Sequence, residues 1–108
     1  MLILTLRIKV PQSKHTDVLD AAKRVVGPAR VQPGCISYRF YQDMDDPDAV
    51  FLVGEWKSRQ ALDHHLLSKE YRIILSLIEL SEVIPDFSIM KISKTEGMEA
   101  IEKVGVNS

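Results

Sequence analysis

Between Glu55 and Arg72 the chain reads EWKSRQALDHHLLSKEYR. The run gathers a tryptophan, two adjacent histidines, a tyrosine and several charges. Imidazole gains and loses its proton near neutral pH, at ~6.5 when unperturbed, so a general base is the first chemistry to consider. The two rings cannot act as one pair, because neighbouring helix positions point about 100° apart. Ala61, Leu62, His65 and Leu66 share one stripe by the three-and-four spacing of helical neighbours. His64 falls with Gln60 and Ser68 on a more polar side. His65 therefore points at the core that the helix covers, and His64 at water. Two roles suit an inward imidazole: a base at the wall of a cavity, or a core histidine hydrogen-bonded to a carbonyl.

Other residues offer themselves as neighbours. Val50, Leu52, Gly54 and Trp56 share one face of an alternating run, and Gly54 leaves a gap beside the indole, as a planar ligand requires. The simpler role for Trp56 is to seal a strand–helix corner. Tyr38 shares a face with Ile36 and Phe40. Turned inward, its hydroxyl needs a partner, and His65 is a candidate. Tyr71 and Arg72 open the next helix and could rim the same cavity; plain packing and a solvated cation are their structural roles. Glu55 lies opposite to Trp56 on its strand and is expected to pair with Arg7 or Lys9 on the sheet's other face. Cys35 has no base placed beside it and reads as an inert small hydrophobe. DMDDPDA carries four aspartates but lacks the glycine and closing glutamate of a calcium loop, so it reads as a solvated turn. His15 stands isolated. No Cys/His set has metal-ligand spacing, and no glycine-rich phosphate loop or GxSxG appears. No metal or cofactor site is expected.

The elements that must position these groups follow from periodicity. Leu2, Leu4, Leu6, Ile8 and Val10 line one side of a first strand, with Ile3, Thr5, Arg7 and Lys9 on the other. Pro11 ends it. Ser13 or Thr16 can cap a helix in which Val18, Ala21, Ala22, Val25 and Ala29 recur at helical spacing, and Gly27-Pro28 stops or kinks it. After the VQPG turn, CISYRFYQ and VFLVGEW form a hairpin. Ser58 caps the helix RQALDHHLL, and Ser68 caps EYRIILSLIEL. The latter is apolar almost all round, so a partner chain or the C-terminal segment is expected to cover part of it. DFSIMKI is the last strand. SKTEGMEAIEKV is expected to form a short helix with a Ser93/Glu96 capping box, followed by a tail. The order β-α-β-β-α-(α)-β with right-handed crossovers predicts an α+β, ferredoxin-like βαββαβ domain. It has a four-stranded antiparallel sheet with helices on one side. Residues 1–93 are assigned to this domain and 94–108 to a C-terminal extension.

The 108 residues, 45% hydrophobic and 27% charged, suit one core. A net charge of −1 gives no basic field for nucleic acid or an anionic membrane. No apolar run is long enough to span a bilayer, and the alternating N-terminus reads as a strand rather than a signal peptide. The lone cysteine favours a reducing cytoplasm.

The stretch QPGCISYRFYQDMDDPDAVFLVGEWKSRQALDHHLLSKEYR resembles the antibiotic biosynthesis monooxygenase domains. Their pattern is a Pro-Gly turn, a strand with an aromatic, a DDP loop, E-W, a cap with S-x-x-A-L, and a His followed by Leu and Ser. The match runs from Pro33 to about Tyr71, and the element order agrees over nearly the whole chain. The resemblance implies a homodimer whose two sheets form one α+β barrel. It aligns the family's recurrent histidine with His65. It also implies oxygenation without a cofactor: a quinol-like, small planar aromatic is deprotonated by His65 and passes an electron to molecular oxygen. Trp56, Leu52, Phe40 and Leu62 would form the slot, and Tyr38 and Arg72 would steady the anion, with Tyr71 at the rim. A small isomerase using the same histidine, and a dimeric ligand-binding or stress-associated module without turnover, are the other functions it admits. Two departures matter. Anthrone-oxygenating members carry an asparagine where this chain has Leu52, and haem-degrading members carry one on the first strand. Here the sole asparagine is Asn107.

Overall fold

Strand β1 (Leu2–Lys9) alternates as its sequence dictates, with Leu2, Leu4, Leu6 and Ile8 buried and the residues between them half-exposed. The computed structural model describes residues 1–107, and the side chains of residues 1–105. Strands β2 (Cys35–Gln42), β3 (Ala49–Trp56) and β4 (Asp86–Lys91) complete an antiparallel sheet in the order β2-β3-β1-β4. The strand of earliest sequence thus lies inside, paired on both edges. The helices α1 (His15–Arg30), α2 (Arg59–Leu66) and α3 (Lys69–Ile78) contribute their apolar stripes to the core that β1 and β3 face. The ferredoxin-like α+β arrangement expected from the element order is the one observed.

Several local expectations are corrected. The first helix is capped by neither Ser13 nor Thr16. A 3-10 turn at Gln12–Lys14 leads into it, and the His15 ring donates from Nε2 to the Val10 carbonyl at 2.8 Å, tying the helix start to the end of β1. Gly27-Pro28 does not stop the helix, which continues to Arg30. Ala29 prolongs the buried stripe of Val18, Ala21 and Val25. The bond that Pro28 cannot donate falls on the exposed side, where water can serve the carbonyl.

Ile36 does not share the inward face with Tyr38. A bulge between Cys35 and Ser37 inserts one residue, so Cys35 opposes Trp56 and Ile36 turns out, 47% exposed. Gly34, just before it, has φ of +81°, and a Cβ there would lie 2.5 Å from that of Ala61. Glycine is thus required both by conformation and by the close approach of α2. Glu55 does not pair with Arg7 or Lys9. Asp46 takes both cations, at 3.6 Å from Arg7 and 2.9 Å from Lys9. The aspartate loop is otherwise a self-bonded turn, with Asp43 Oδ1 accepting from the amides of Asp45 and Asp46.

The grease on α3 is covered largely from within. Ile74 and Leu77 are buried, and Ile73, Ile78 and Leu80 pack against the core, leaving Leu75 as the half-exposed member. The Ser93/Glu96 capping box does not form. Helix α4 begins later (Glu99–Asn107), Glu96 pairs with Lys94 at 3.4 Å, and the Glu99 carboxylate accepts from the Gly97 amide at 2.8 Å. Of the tail expected over residues 105–108, residues 105–107 continue this helix instead, and Ser108 lies outside the described residues. Among the described residues no helix is long and apolar enough to cross a membrane.

Candidate functional site

Ser58 caps α2 by accepting from the Ala61 amide at 3.2 Å, which fixes the helix phase and drives Leu62 and His65 inward. His65 is 0% exposed while His64 is exposed, as the helical spacing predicts. The helix ends at once, because Ser68 both caps α3 through the Tyr71 amide and donates from Oγ to the His65 carbonyl at 2.6 Å. The imidazole is thus held where two short helices meet over the sheet.

Three rings close around it. Trp56, from the end of β3, stacks on His65 with centroids 4.6 Å apart and planes 24° from parallel. Tyr38, from β2, meets it edge-on at 4.9 Å, and Tyr71, from the first turn of α3, at 5.5 Å. Tyr38 also meets the Trp56 edge at 6.2 Å. Tyr38 and Trp56 have no exposed surface, while Tyr71 retains 7%.

Both imidazole nitrogens have polar neighbours. Nε2 lies 3.1 Å from the Tyr38 hydroxyl, the pairing expected from the inward face of β2. Nδ1 lies 2.9 Å from Oε1 of Gln32, whose Nε2 in turn donates to the Glu70 carboxylate at 3.3 Å. In contrast, Trp56 Nε1 is the buried side-chain donor that finds no acceptor among the described residues.

Burial sets the charge state. It pushes His65 down to about 4, with the Glu70 carboxylate pulling the other way and His64 reinforcing the fall. The ring is neutral at pH 7, which corrects the near-neutral titration expected of an unperturbed imidazole. Burial also raises the Tyr38 phenol, with Tyr71, Cys35 and Glu70 adding to the effect, and it raises Tyr71. The resting cluster is therefore an uncharged base against an uncharged acid. Cys35 is raised by burial against the lowering influence of Arg30, the condition of an unreactive thiol.

The fold brings His65, Tyr38, Trp56 and Tyr71 together, with Leu52 and Leu62 buried in the same core. It does not bring Phe40 or Arg72 into the ring cluster. Phe40 is half-buried beside a shallow groove with His15, Val18, Leu19 and Val50. Arg72 is exposed on the α1 side of α3, in an open groove with Asp17, Asp20 and Arg24. The gap expected beside Gly54 is filled. A Cβ there would lie 3.0 Å from Trp56 Nε1 and 3.1 Å from Tyr38 Cδ2, so the missing side chain makes room for the protein's own rings. The indole face expected to receive a planar guest carries the imidazole instead. Among the described residues no group of three or more His, Cys, Asp or Glu is arranged to hold a metal ion.

Two polar members of the site were not found from sequence. Gln32 reads as a turn residue, and Glu70 as an acid complementing the start of α3. Neither stands at a telling distance along the chain from His65. The available signal was indirect: a buried imidazole requires partners at both nitrogens, and Tyr38 can satisfy only one.

The family model described as antibiotic biosynthesis monooxygenase matches residues 1–74. The uncharacterized protein sll1783 of Synechocystis is 36% identical over 58 residues, a stretch that makes up 54% of this chain and 40% of that protein. The chain therefore spans less than half the length of that relative. Rv0793 from Mycobacterium tuberculosis superposes with a TM-score of 0.78 at 21% identity, over 89% of this chain and 98% of that one. A mutant of SnoaB, a cofactor-independent oxygenase from Streptomyces nogalater, superposes at 0.71 with 15% identity, over 87% and 94%. At these identities the two structures show a shared fold.

Proposed function

The chain belongs to the antibiotic biosynthesis monooxygenase family, and on that premise we propose that it is a cofactor-independent monooxygenase of a small, quinol-like planar aromatic, with His65 as the base. The observation that carries this reading is the contact between His65 Nε2 and the Tyr38 phenol at 3.1 Å, inside a dry ring cluster. A phenol against an imidazole nitrogen is the encounter that such a reaction begins with, and Tyr38 occupies the place a substrate hydroxyl would take. Trp56 Nε1, a buried donor without an acceptor among the described residues, supplies a hydrogen bond for a developing oxyanion.

The chemistry balances with dioxygen as the oxidant. His65 takes the phenolic proton. The phenolate gives one electron to O2, and the resulting substrate radical and superoxide join in a C–O bond. The imidazolium returns its proton to give the hydroperoxide, which, at a carbon that bears a hydrogen, loses water and leaves one oxygen atom on that carbon as a carbonyl and the other in the water. A phenolate forming against Nε2 stabilises the imidazolium it creates, which offsets the low basicity of the closed, buried ring. Admission of a substrate requires the cluster to open, and Tyr71 is the ring that already reaches the surface.

Members of the family are commonly dimeric, and this chain is proposed to pair through the sheet face away from the helices. That face carries Ile3, Phe51, Val53 and Met90, with Arg7 stacked 5.5 Å over Phe51. The single cysteine suits the reducing cytoplasm as its location.

Oxygen uptake over a panel of quinols tests the reading. Uptake by the wild type that disappears in His65→Gln, with the variant folded by near-ultraviolet circular dichroism, supports it. Silence of the wild type on every quinol overturns it. One specific observation favours a second reading: His65 is fully covered and bonded at both nitrogens, as a core histidine is. A dimeric ligand-binding module without turnover, or a small isomerase using the same ring, would then be what remains.

A further inference from the structure

We infer that Gln32, oriented by Glu70, holds His65 as the Nδ1–H tautomer and so directs the lone pair of Nε2 at Tyr38 and at any hydroxyl that replaces it. The inference deepens the proposed function and rests on it for its catalytic meaning, while its structural content stands on the geometry alone.

A side-chain amide can sit in two orientations that differ by exchange of its oxygen and nitrogen, and an imidazole has two neutral tautomers. Here one carboxylate decides both. Glu70 Oε2 accepts only, so the group 3.3 Å from it must be the Gln32 NH2. That leaves Gln32 Oε1 facing His65 Nδ1 at 2.9 Å. A carbonyl oxygen cannot donate, so Nδ1 must carry the ring's hydrogen. Nε2 is then a bare lone pair, and the Tyr38 hydroxyl at 3.1 Å must donate to it. The free neutral side chain favours the opposite, Nε2–H form, so the network overrides an intrinsic preference.

The scaffold makes the chain of constraints stiff. The Gln32 backbone is bonded on both sides, its amide to the Ala29 carbonyl at 3.1 Å and its own carbonyl to the Cys35 amide at 3.1 Å. Glu70 lies in the first turn of α3, two residues after the Ser68 cap, and is 9% exposed. Placing an amide between carboxylate and imidazole has a chemical consequence. A carboxylate directly on Nδ1 would favour the imidazolium. The interposed amide passes on orientation without an ion pair, so the ring stays a neutral base. Gln32 and Glu70 are thus positioning residues that act through His65.

Long-range proton–nitrogen spectra of the 108-residue chain, labelled with 15N-histidine, read the tautomer directly. The His65 signals are assigned by their loss in His65→Gln. At pH 7 the expected result is a protonated Nδ1 and an unprotonated Nε2. Glu70→Met frees the amide to turn over and should shift His65 toward the Nε2–H form. Glu70→Gln, whose amide can donate as well as accept, should give a smaller shift in the same direction. A wild-type His65 in the Nε2–H form overturns the inference without need of any variant, and so does a folded Glu70→Met protein that keeps Nδ1–H undiminished. Since the tautomer is read without turnover, a protein showing Nδ1–H but no oxygen uptake would lose the proposed activity and keep this assignment. Where uptake is found, Glu70→Met should lower kcat in step with the lost lone-pair fraction at Nε2 and leave KM unchanged.

Discussion

The His65 imidazole lies face to face with the Trp56 indole, 4.6 Å between centroids and 24° between planes. One ring comes from a two-turn helix and the other from the last residue of a central strand, so this stack joins the helical layer to the sheet. Neither ring has exposed surface, and neither can move without displacing the other.

Truncation at His65 should therefore unfold the protein before it silences anything. His65→Ala removes the stack and leaves Tyr38 and Gln32 without their shared partner, with an expected loss of ~2–5 kcal/mol. His65→Gln keeps a polar side chain of similar reach and should lose less. Urea denaturation checks both, and an Ala variant within ~0.5 kcal/mol of wild type, the range of an unremarkable surface site, would contradict the packing role.

Acid should weaken the wild type through the same ring. Burial holds His65 at about 4, below the ~6.5 of an unfolded histidine. Between those values the unfolded chain binds a proton that the native chain refuses, so stability falls as pH drops through the window and is level with respect to this ring above it. The full effect is ~3 kcal/mol, reached near pH 4. Denaturation midpoints measured from pH 7.5 to 4.5 should fall more steeply for wild type than for His65→Gln, which has no such proton to bind. Parallel curves would show that the ring titrates normally.

Gly54→Ala opposes two effects of known sign. Alanine restricts the unfolded strand, a gain of ~0.5–1 kcal/mol. Its Cβ would meet Trp56 Nε1 at 3.0 Å and Tyr38 Cδ2 at 3.1 Å, both in rings without freedom to retreat. Overpacking of this kind costs ~1–3 kcal/mol, so the clash should win. A lower midpoint with a shifted Trp56 fluorescence maximum is expected, and a stabilised variant would mean that the rings yield easily.

The two helix caps should differ. Ser58→Ala loses a cap worth ~1 kcal/mol. Ser68→Ala loses a similar cap and also the 2.6 Å bond that its hydroxyl donates to the His65 carbonyl, a further ~1 kcal/mol. Thermal unfolding of the two variants should show the larger fall for Ser68→Ala, and equal falls would remove Ser68 from the support of the site.

Periodicity alone determined which way each element faces. Alternation in β1 and β3, the stripe through Leu62 and His65, and the serines at 58 and 68 are local signals, because side-chain direction and capping are set within a few residues. The element order then left one simple topology. Tertiary structure decided what lies between those faces. The bulge that turns Ile36 outward, the passage of α1 through Pro28, and the filling of the space beside Gly54 all depend on contacts between segments distant along the chain. Gln32 and Glu70 join the site for the same reason. Nothing in their own neighbourhood marks them, and only a buried imidazole with a second nitrogen to satisfy gives them their place.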